Sequence, residues 1–504
     1  MSRDSFKEAT LSGVRWMMLT RGLSQVIALS ATVALARLIS PAEFGRAAIA
    51  LIFLPLAGIL TFEGFASALV QREEIDEHHR RAATLMSLLG GAALSAAVLA
   101  LVPLAWRPLF GARTASLIAL ISPVFLLASC GSVSRATLWR RLDFRRIGLI
   151  DLIGLSAGNL VPVALALGGL RATALVIGAL AQTLAISALL LIAAPAPLPR
   201  WHRRAQREIG GFGLPAALAG LVDVGFRNVD YAILAAQLPA AQTGIYWRAF
   251  NLGVVYQDKL SGVMMQLAFP IYSRTESRAE LRRLHERAAR VHAAVIFPLL
   301  ASLIVLAPLL VPLLLGAAWT PSVRPAQILC VAGMIAAVLT GYPQVMLAVG
   351  RPKALLRFNI AMLFTYALAV ALAARHGLIV VAIVVTGVYF GILLGVYRLL
   401  LARYVGITIR RLIPELGPAV AGCLALAAAG ESVRHLLEPL LPRAPTIALA
   451  GTVGILVYIL ALRTVSSATW RDLRALSARV LPWSRGAAPP TTASVAPSPA
   501  SVSS

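Results

Sequence analysis

Apolar positions along this chain come in long unbroken runs. Fourteen stand out, at 14–36, 47–70, 82–104, 114–136, 147–168, 173–194, 212–236, 244–270, 291–315, 325–349, 358–374, 378–402, 413–430 and 446–462. A barrel strand would show about ten residues of alternating polarity, so continuous runs read as helix. About 20 apolar residues cross the roughly 30 Å core of a bilayer. Backbone polar groups must be satisfied inside lipid, which leaves only helices or closed barrels. The pattern predicts an all-α integral membrane protein with about 14 transmembrane helices. The run at 413–430 is the weakest, short and rich in Ala and Gly.

The polar segments carry their own pattern. Residues 276–290 (ESRAELRRLHERAAR) predict a short basic amphipathic helix lying on the membrane surface. Residues 195–209 open with alternating prolines and continue basic, as a linker between two halves would. The end of the chain, 486–504, is rich in Pro, Ser, Ala and Thr and reads as disordered. Residues 1–13 are polar and no small-residue cleavage site follows the first run, so no cleaved signal peptide is expected.

Composition removes the soluble alternatives. The 504 residues are 59% hydrophobic and 13% charged, against about 45–50% and about 25% in soluble domains. The net charge of +25 suggests nucleic acid at first sight, but its distribution points elsewhere. Alternate loops, counted from the N-terminus, hold 30 of the 46 Lys and Arg, and the other set holds 9. Basic loops face the cytoplasm and its anionic lipid, which sets both termini on that side. No nucleic-acid partner is expected. Cys130, Cys330 and Cys423 show no paired spacing. The sequence contains no GxxxxGK[ST], no HExxH and no paired CxxC, so no cofactor, metal site or catalytic group is expected. The loops are too short for a membrane glycosyltransferase or polymerase site.

A weak internal repeat organises the runs. Residues 34–45 (ALARLISPAEFG) can be laid over 233–244 (ILAAQLPAAQTG), and each segment joins the first two spans of a six-span group. The copies start on the same side. The expected architecture is therefore two six-helix lobes related by a pseudo-two-fold axis along the membrane normal, plus two C-terminal helices. The boundaries read as an N-terminal lobe at 1–194, a cytoplasmic linker at 195–211, a C-terminal lobe at 212–402, two extra spans at 403–464 and a cytoplasmic, largely disordered tail at 465–504. Ser40, Pro41 and Glu43 read as a helix start with a capping box.

Charge inside the spans is the functional signal, because each mid-bilayer charge costs at least about 2.5–3.5 kcal/mol. Asp223, Arg227 and Asp230 share one narrow face of span 7, with Asn228 beside them. They form either an intrahelical pair or a polar stripe lining a cavity, with Arg227 and Asn228 meeting the cargo. Span 8 carries Arg248, Asn251, Asp258, Lys259 and Gln266. Arg248 lies near a span end where it can snorkel, whereas Lys259 lies near the centre and is expected to face a cavity; Arg227, Lys259, Arg21, Arg248, Asn228 and Asn251 are the candidates for binding the cargo. Arg21 in span 1 either snorkels or pairs with Glu63 in span 2. Asp223, Asp230, Asp258 and Glu63 are the candidates for binding a coupling proton or sodium. Arg15, Arg135, Asp151, Arg398 and Glu415 sit at span ends and need no special role.

Two stretches point to a family. One is Ala36–Gly45 (ARLISPAEFG) followed by Gly64–Arg72 (GFASALVQR); the other is Asp230–Leu234 (DYAIL), Thr243–Tyr246 (TGIY) and Phe269–Arg274 (FPIYSR). Over about residues 10–410 the chain resembles the polysaccharide transporter (Wzx-like oligosaccharide flippase) family of the multidrug/oligosaccharidyl-lipid/polysaccharide exporter superfamily. The resemblance implies two lobes around a central cavity. It also implies transfer of a polyprenyl-diphosphate-linked oligosaccharide across the inner membrane by alternating access, for exopolysaccharide or O-antigen (lipopolysaccharide) synthesis. The partners it implies are that lipid-linked cargo, membrane lipid, and polysaccharide polymerase and chain-length proteins. The rival reading is an ion-coupled multidrug or cation antiporter of the same superfamily.

Overall fold

The computed structural model describes residues 3–58, 65–72, 74–258, 260–262 and 277–480, with backbone alone at 3–15, 17–19, 21, 67, 71, 212, 214–223, 226 and 476–480. Every described element is helical, and the described residues of the fourteen apolar runs fall almost wholly on helix. The N-terminal lobe holds α1 (Arg3–Leu38), α2 (Pro41–Leu51, continued by Phe53–Gly58 and Ser67–Gln71), α3 (Glu77–Leu101), α4 (Arg107–Ile121 and Val124–Arg140), α5 (Phe144–Leu167) and α6 (Arg171–Ala193). The C-terminal lobe holds α7 (Arg203–Gln237), α8 (Ala240–Phe250, continued by a π-helical Asn251–Val255), α9 (Arg278–Leu315), α10 (Val323–Leu339, continued by Tyr342–Ala348), α11 (Pro352–Ala374) and α12 (Leu378–Gly395). Two further helices follow, α13 (Ile409–Leu437) and α14 (Arg443–Val465), and then α15 (Ser467–Val480).

Ten helical stretches are long and apolar enough to cross a membrane by length and composition, and the 64 residues from Glu77 to Arg140 are one of them. At about 1.5 Å per residue that stretch is far too long for one pass and makes two. α1, α7 and α8 carry the three remaining apolar runs over their described residues. The protein is a multi-pass membrane protein with two six-helix lobes and two extra helices. Its buried apolar residues fall into several clusters. One of them runs across the lobes, joining Ile39, Phe44 and Ile49 to Val311, Leu315 and Trp319.

The structure departs from the sequence pattern in places. The basic stretch expected as a separate surface helix is the first part of α9, which runs 38 residues without a break. Its apolar side finds protein: Leu281 and Ala289 are buried with Leu400 and Val405, and His285 Nε2 meets the Tyr397 hydroxyl at 2.9 Å. The capping box at Ser40 does not form. Ser40 makes no side-chain cap bond, because Glu43 pairs with Arg46 and accepts the Ala172 N–H of α6 at 3.4 Å. The segment after α14 is helical as α15, where Asp472 pairs with Arg287 at 2.5 Å and Arg290 at 2.7 Å. Arg290 also holds Glu415 of α13 at 2.6 Å. Residues 486–504 lie outside the described residues.

Candidate functional site

The lobes meet where the repeat predicts equivalence. The register of 34–45 on 233–244 sets Pro41 against Ala240 and Gly45 against Gly244. A Cβ on Gly45 would stand 1.8 Å from the carbonyl oxygen of Ala240, and a Cβ on Gly244 would stand 2.0 Å from that of Pro41. Each glycine thus receives the residue that opens the other repeat's second helix, a reciprocal contact of the kind a two-fold axis generates. Only glycine allows main chains to come this close. Flanking contacts tighten the seam. Trp319 donates its indole N–H to the Ala36 carbonyl at 2.8 Å. Arg37 donates to the carbonyls of Leu313 and Leu314 at 2.5 and 3.0 Å, satisfying acceptors that the last turn of α9 leaves open.

Arg248, expected among the cargo-binding residues, sits inside this seam. It is 1% exposed. Its guanidinium carbon lies 5.0 Å from the ring of Phe44, 5.2 Å from Trp247 and 4.9 Å from Trp319. Nε and Nη2 find no hydrogen-bond partner among the described residues. The negative faces of three rings, one from the N-terminal lobe and two from the C-terminal lobe, stand in for a counter-ion.

Farther along α7 and α8 the chain offers an ion pair in the open. Arg227 Nη1 lies 2.5 Å from Asp258 Oδ2, and the two side chains are 53% and 42% exposed. Asp258 reaches Arg227 from the neighbouring helix; the side chain of Asp223, the partner expected from the sequence, lies outside the described residues. Asn228 and Asn251 are half-buried and donate to their own helices, to Val224 at 2.9 Å and Trp247 at 2.8 Å. Asn251 opens the π-helical turn of α8, a local widening that often marks functional positions.

Asp230 does not share this setting. It is fully buried, its Oδ2 accepting from the hydroxyls of Tyr246 at 2.8 Å and Tyr366 at 3.0 Å. Its Oδ1 accepts the Tyr231 N–H at 2.9 Å. The carboxylate ties α7 to α8 and α11 inside the C-terminal lobe. The remaining candidates, Glu63 and Lys259 together with the side chains of Arg21 and Asp223, lie outside the described residues, as does Gln266.

The N-terminal lobe holds a feature that sequence reading passed over. A cavity of about 460 Å³ lies between α2, α4 and α6. Its lining includes Leu54, Ser132, Arg135, Trp139, Gln182 and Ser187. Arg135 is bidentate to Asp151 of α5, at 2.6 and 3.3 Å. Both residues had been set aside as ordinary span ends. The available signal was Arg135 and Trp139 four residues apart on α4, hence neighbours on one face, with a glutamine midway along α6. A second set of polar contacts is also new: His292 Nε2 meets Ser261 Oγ at 2.6 Å, and Ser261 donates to Gln257 at 2.9 Å, all buried between α8 and α9.

Outside the spans, the start of α7 docks on the N-terminal lobe through Glu208. Its carboxylate meets His79 at 2.9 Å, Arg204 at 3.0 Å and Arg72 at 2.7 Å. The hydrogen bond from His79, then that from Arg204, with the charge of Arg72 behind them, hold Glu208 down to about 2. Asp76 caps α3, accepting the His79 N–H at 2.8 Å, and that backbone bond lowers its pKa.

Two lobes of membrane-spanning helices joined at a reciprocal seam define the fold. The solved structures confirm it. The chain superposes on the lipid II flippase MurJ in its inward closed conformation with TM-score 0.70, at 15% identity, covering 91% of this chain and 99% of that one. An inward-facing multidrug resistance MATE transporter of the MOP superfamily gives TM-score 0.57 at 13% identity, covering 79% and 95%. More narrowly, a family model described as polysaccharide biosynthesis protein matches residues 34–324, and the chain belongs to that family. Among its relatives, the lipopolysaccharide biosynthesis protein WzxC of Escherichia coli is 25% identical over 74% of this chain and 76% of its own. The teichuronic acid biosynthesis protein TuaB of Bacillus subtilis is 21% identical over 74% and 78%.

Proposed function

We propose that this protein is a flippase that moves polyprenyl-diphosphate-linked oligosaccharide repeat units across the bacterial inner membrane, for exopolysaccharide or lipopolysaccharide synthesis. The observation that carries the reading is the paired-glycine seam, which closes the lobes against each other at one end and leaves an ionised pair exposed beyond it. Rocking the lobes about that joint would open one end as the other closes. In this reading both termini and the basic loops face the cytoplasm, following the loop-charge bias, and the seam lies on the periplasmic side. The cargo enters from the basic end. Its tail stays in lipid while the diphosphate and sugars pass between the lobes.

Within the cleft, Arg227 supplies a planar fork suited to a diphosphate, with Asp258 as the counter-ion it exchanges. Asn228 and Asn251 border the same route, and Lys259 and Arg21 add charge to it. Asp258, Glu63 and Asp223 are the carboxylates proposed to bind a coupling proton or sodium. Arg248 acts at the seam, holding the closed state through its three rings. Asp230 serves the C-terminal lobe as a packing anchor. Polymerase and chain-length proteins are the expected partners on release. The protein performs no covalent chemistry.

The test is export in the host. Deleting the gene should stop extracellular polymer and accumulate lipid-linked repeat units, and Arg227→Gln with Lys259→Gln should do the same while the protein stays in the membrane. Normal polymer from that double variant would refute the cleft assignment. Intact polymer after gene deletion, joined by lost drug resistance, would establish the antiporter.

A further inference from the structure

The register that pairs Gly45 with Gly244 continues along α2 and α8 and exposes a difference between the halves. Leu54 falls opposite Gly253 in this register. In the C-terminal lobe, Gly253 lets α8 press directly on α10: a Cβ there would stand 2.6 Å from the Leu329 carbonyl carbon, and one on Gly333 would stand 2.0 Å from the Gly253 oxygen. That interface is closed main chain on main chain. The corresponding position in the N-terminal lobe carries Leu54, and the space between α2 and α4 is the cavity of about 460 Å³. The fold does not require a hole there, since its twin is filled.

The lining chemistry is specific. Trp139 and Arg135 stand one helical turn apart on α4, and Gln182 enters from α6. The oxygen atoms of Ser132 and Ser187 each donate to a main-chain carbonyl, at 2.8 Å to Ser129 and 2.7 Å to Leu127. This leaves their lone pairs as acceptors. Asp151 neutralises Arg135 at 2.6 Å, so the site presents a fork of donors with a paired charge. An aromatic ring, an amide, hydroxyl acceptors and a neutralised guanidinium match the many hydroxyls and the C–H faces of a sugar ring. They suit a free diphosphate poorly. The volume lies within the range of about 300–1,000 Å³ typical of small-ligand sites.

From this we infer that the α2–α4–α6 cavity is a saccharide subsite, taking an uncharged sugar ring of the oligosaccharide head while the diphosphate is handled at the inter-lobe cleft. The inference rests on the flippase reading and adds a second, sugar-reading locus to it. The N-terminal lobe would then discriminate among head groups, and the C-terminal lobe would hold the charge common to all of them.

The probe is a set of oligosaccharides released by partial acid hydrolysis from the host's own extracellular polysaccharide, titrated onto the purified full-length protein by calorimetry. Binding should weaken about tenfold or more in Gln182→Leu, which removes the amide. Ser132→Ala, on a different helix and removing only the hydroxyl, should weaken it as well, so that a folding defect in one variant does not decide the matter. Polyprenyl diphosphate without sugar should bind both variants as it binds the parent. Equal oligosaccharide binding by the parent and both variants, or none by the parent, overturns the subsite. Gene deletion is the separate arm. Intact polymer there sinks the flippase reading, whereas lost polymer with unaltered variants sinks the subsite alone.

Discussion

At the scale of single residues, two buried charges do opposite work. Arg248 is held by ring faces and not by an acid. A desolvated cation–π contact is worth about 2 kcal/mol, and truncation adds an unfilled space. Arg248→Ala should therefore lower stability by about 3 kcal/mol or more, read as a fall in the unfolding midpoint of solubilised protein. Arg248→Met fills the box without a charge to desolvate, and should stay near the parent. Asp230 is held by hydrogen bonds, so the sign reverses. Asp230→Leu removes the oxygen to which the hydroxyls of Tyr246 and Tyr366 donate, at about 1–3 kcal/mol, whereas Asp230→Asn keeps an acceptor. The same melting assay should rank leucine well below asparagine. Neither environment was legible in the sequence. A helical wheel put Asp230 and Arg227 on one stripe, yet partners arriving from α8 and α11 separate them, and the rings around Arg248 come from positions 44, 247 and 319.

At the scale of elements, the sequence was read more easily. The described residues of the apolar runs are almost all helical because lipid leaves the backbone no other solution. Where protein competed with lipid or with a local cap, the reading failed: α9 swallowed the expected surface helix, and Glu43 left Ser40 to hold Arg46 and α6. The repeat was legible as a faint likeness, and its meaning lay in the contact it encodes. Gly45→Leu sets a side chain where Ala240 oxygen would be 1.8 Å from the first added carbon, and the seam cannot close over it. Ala36, 5% exposed beside that seam, supplies a reporter. Ala36→Cys should resist a membrane-impermeant maleimide in the parent and react readily when Gly45→Leu is added.

At the scale of the whole molecule, the linker between lobes is fastened at the basic end through Glu208. A carboxyl held below its ordinary value of 4.5 stabilises docking fully above that value, and the contribution fades only as pH falls toward about 2. The start of α7 should stay docked between pH 8 and 5, with constant protease resistance across residues 195–210. Glu208→Gln should be cleaved faster over that entire range and lack the further rise in cleavage that the parent shows as pH falls below 4.5.

The joint at Gly45 and Gly244 is made of main chain, and that sets how such a protein can age. Its closest approach asks that two positions stay bare. Beyond the few side chains that brace it, the surroundings are free to drift, so the halves can lose much of their written likeness and still fold shut upon each other like a pair of unmatched hands.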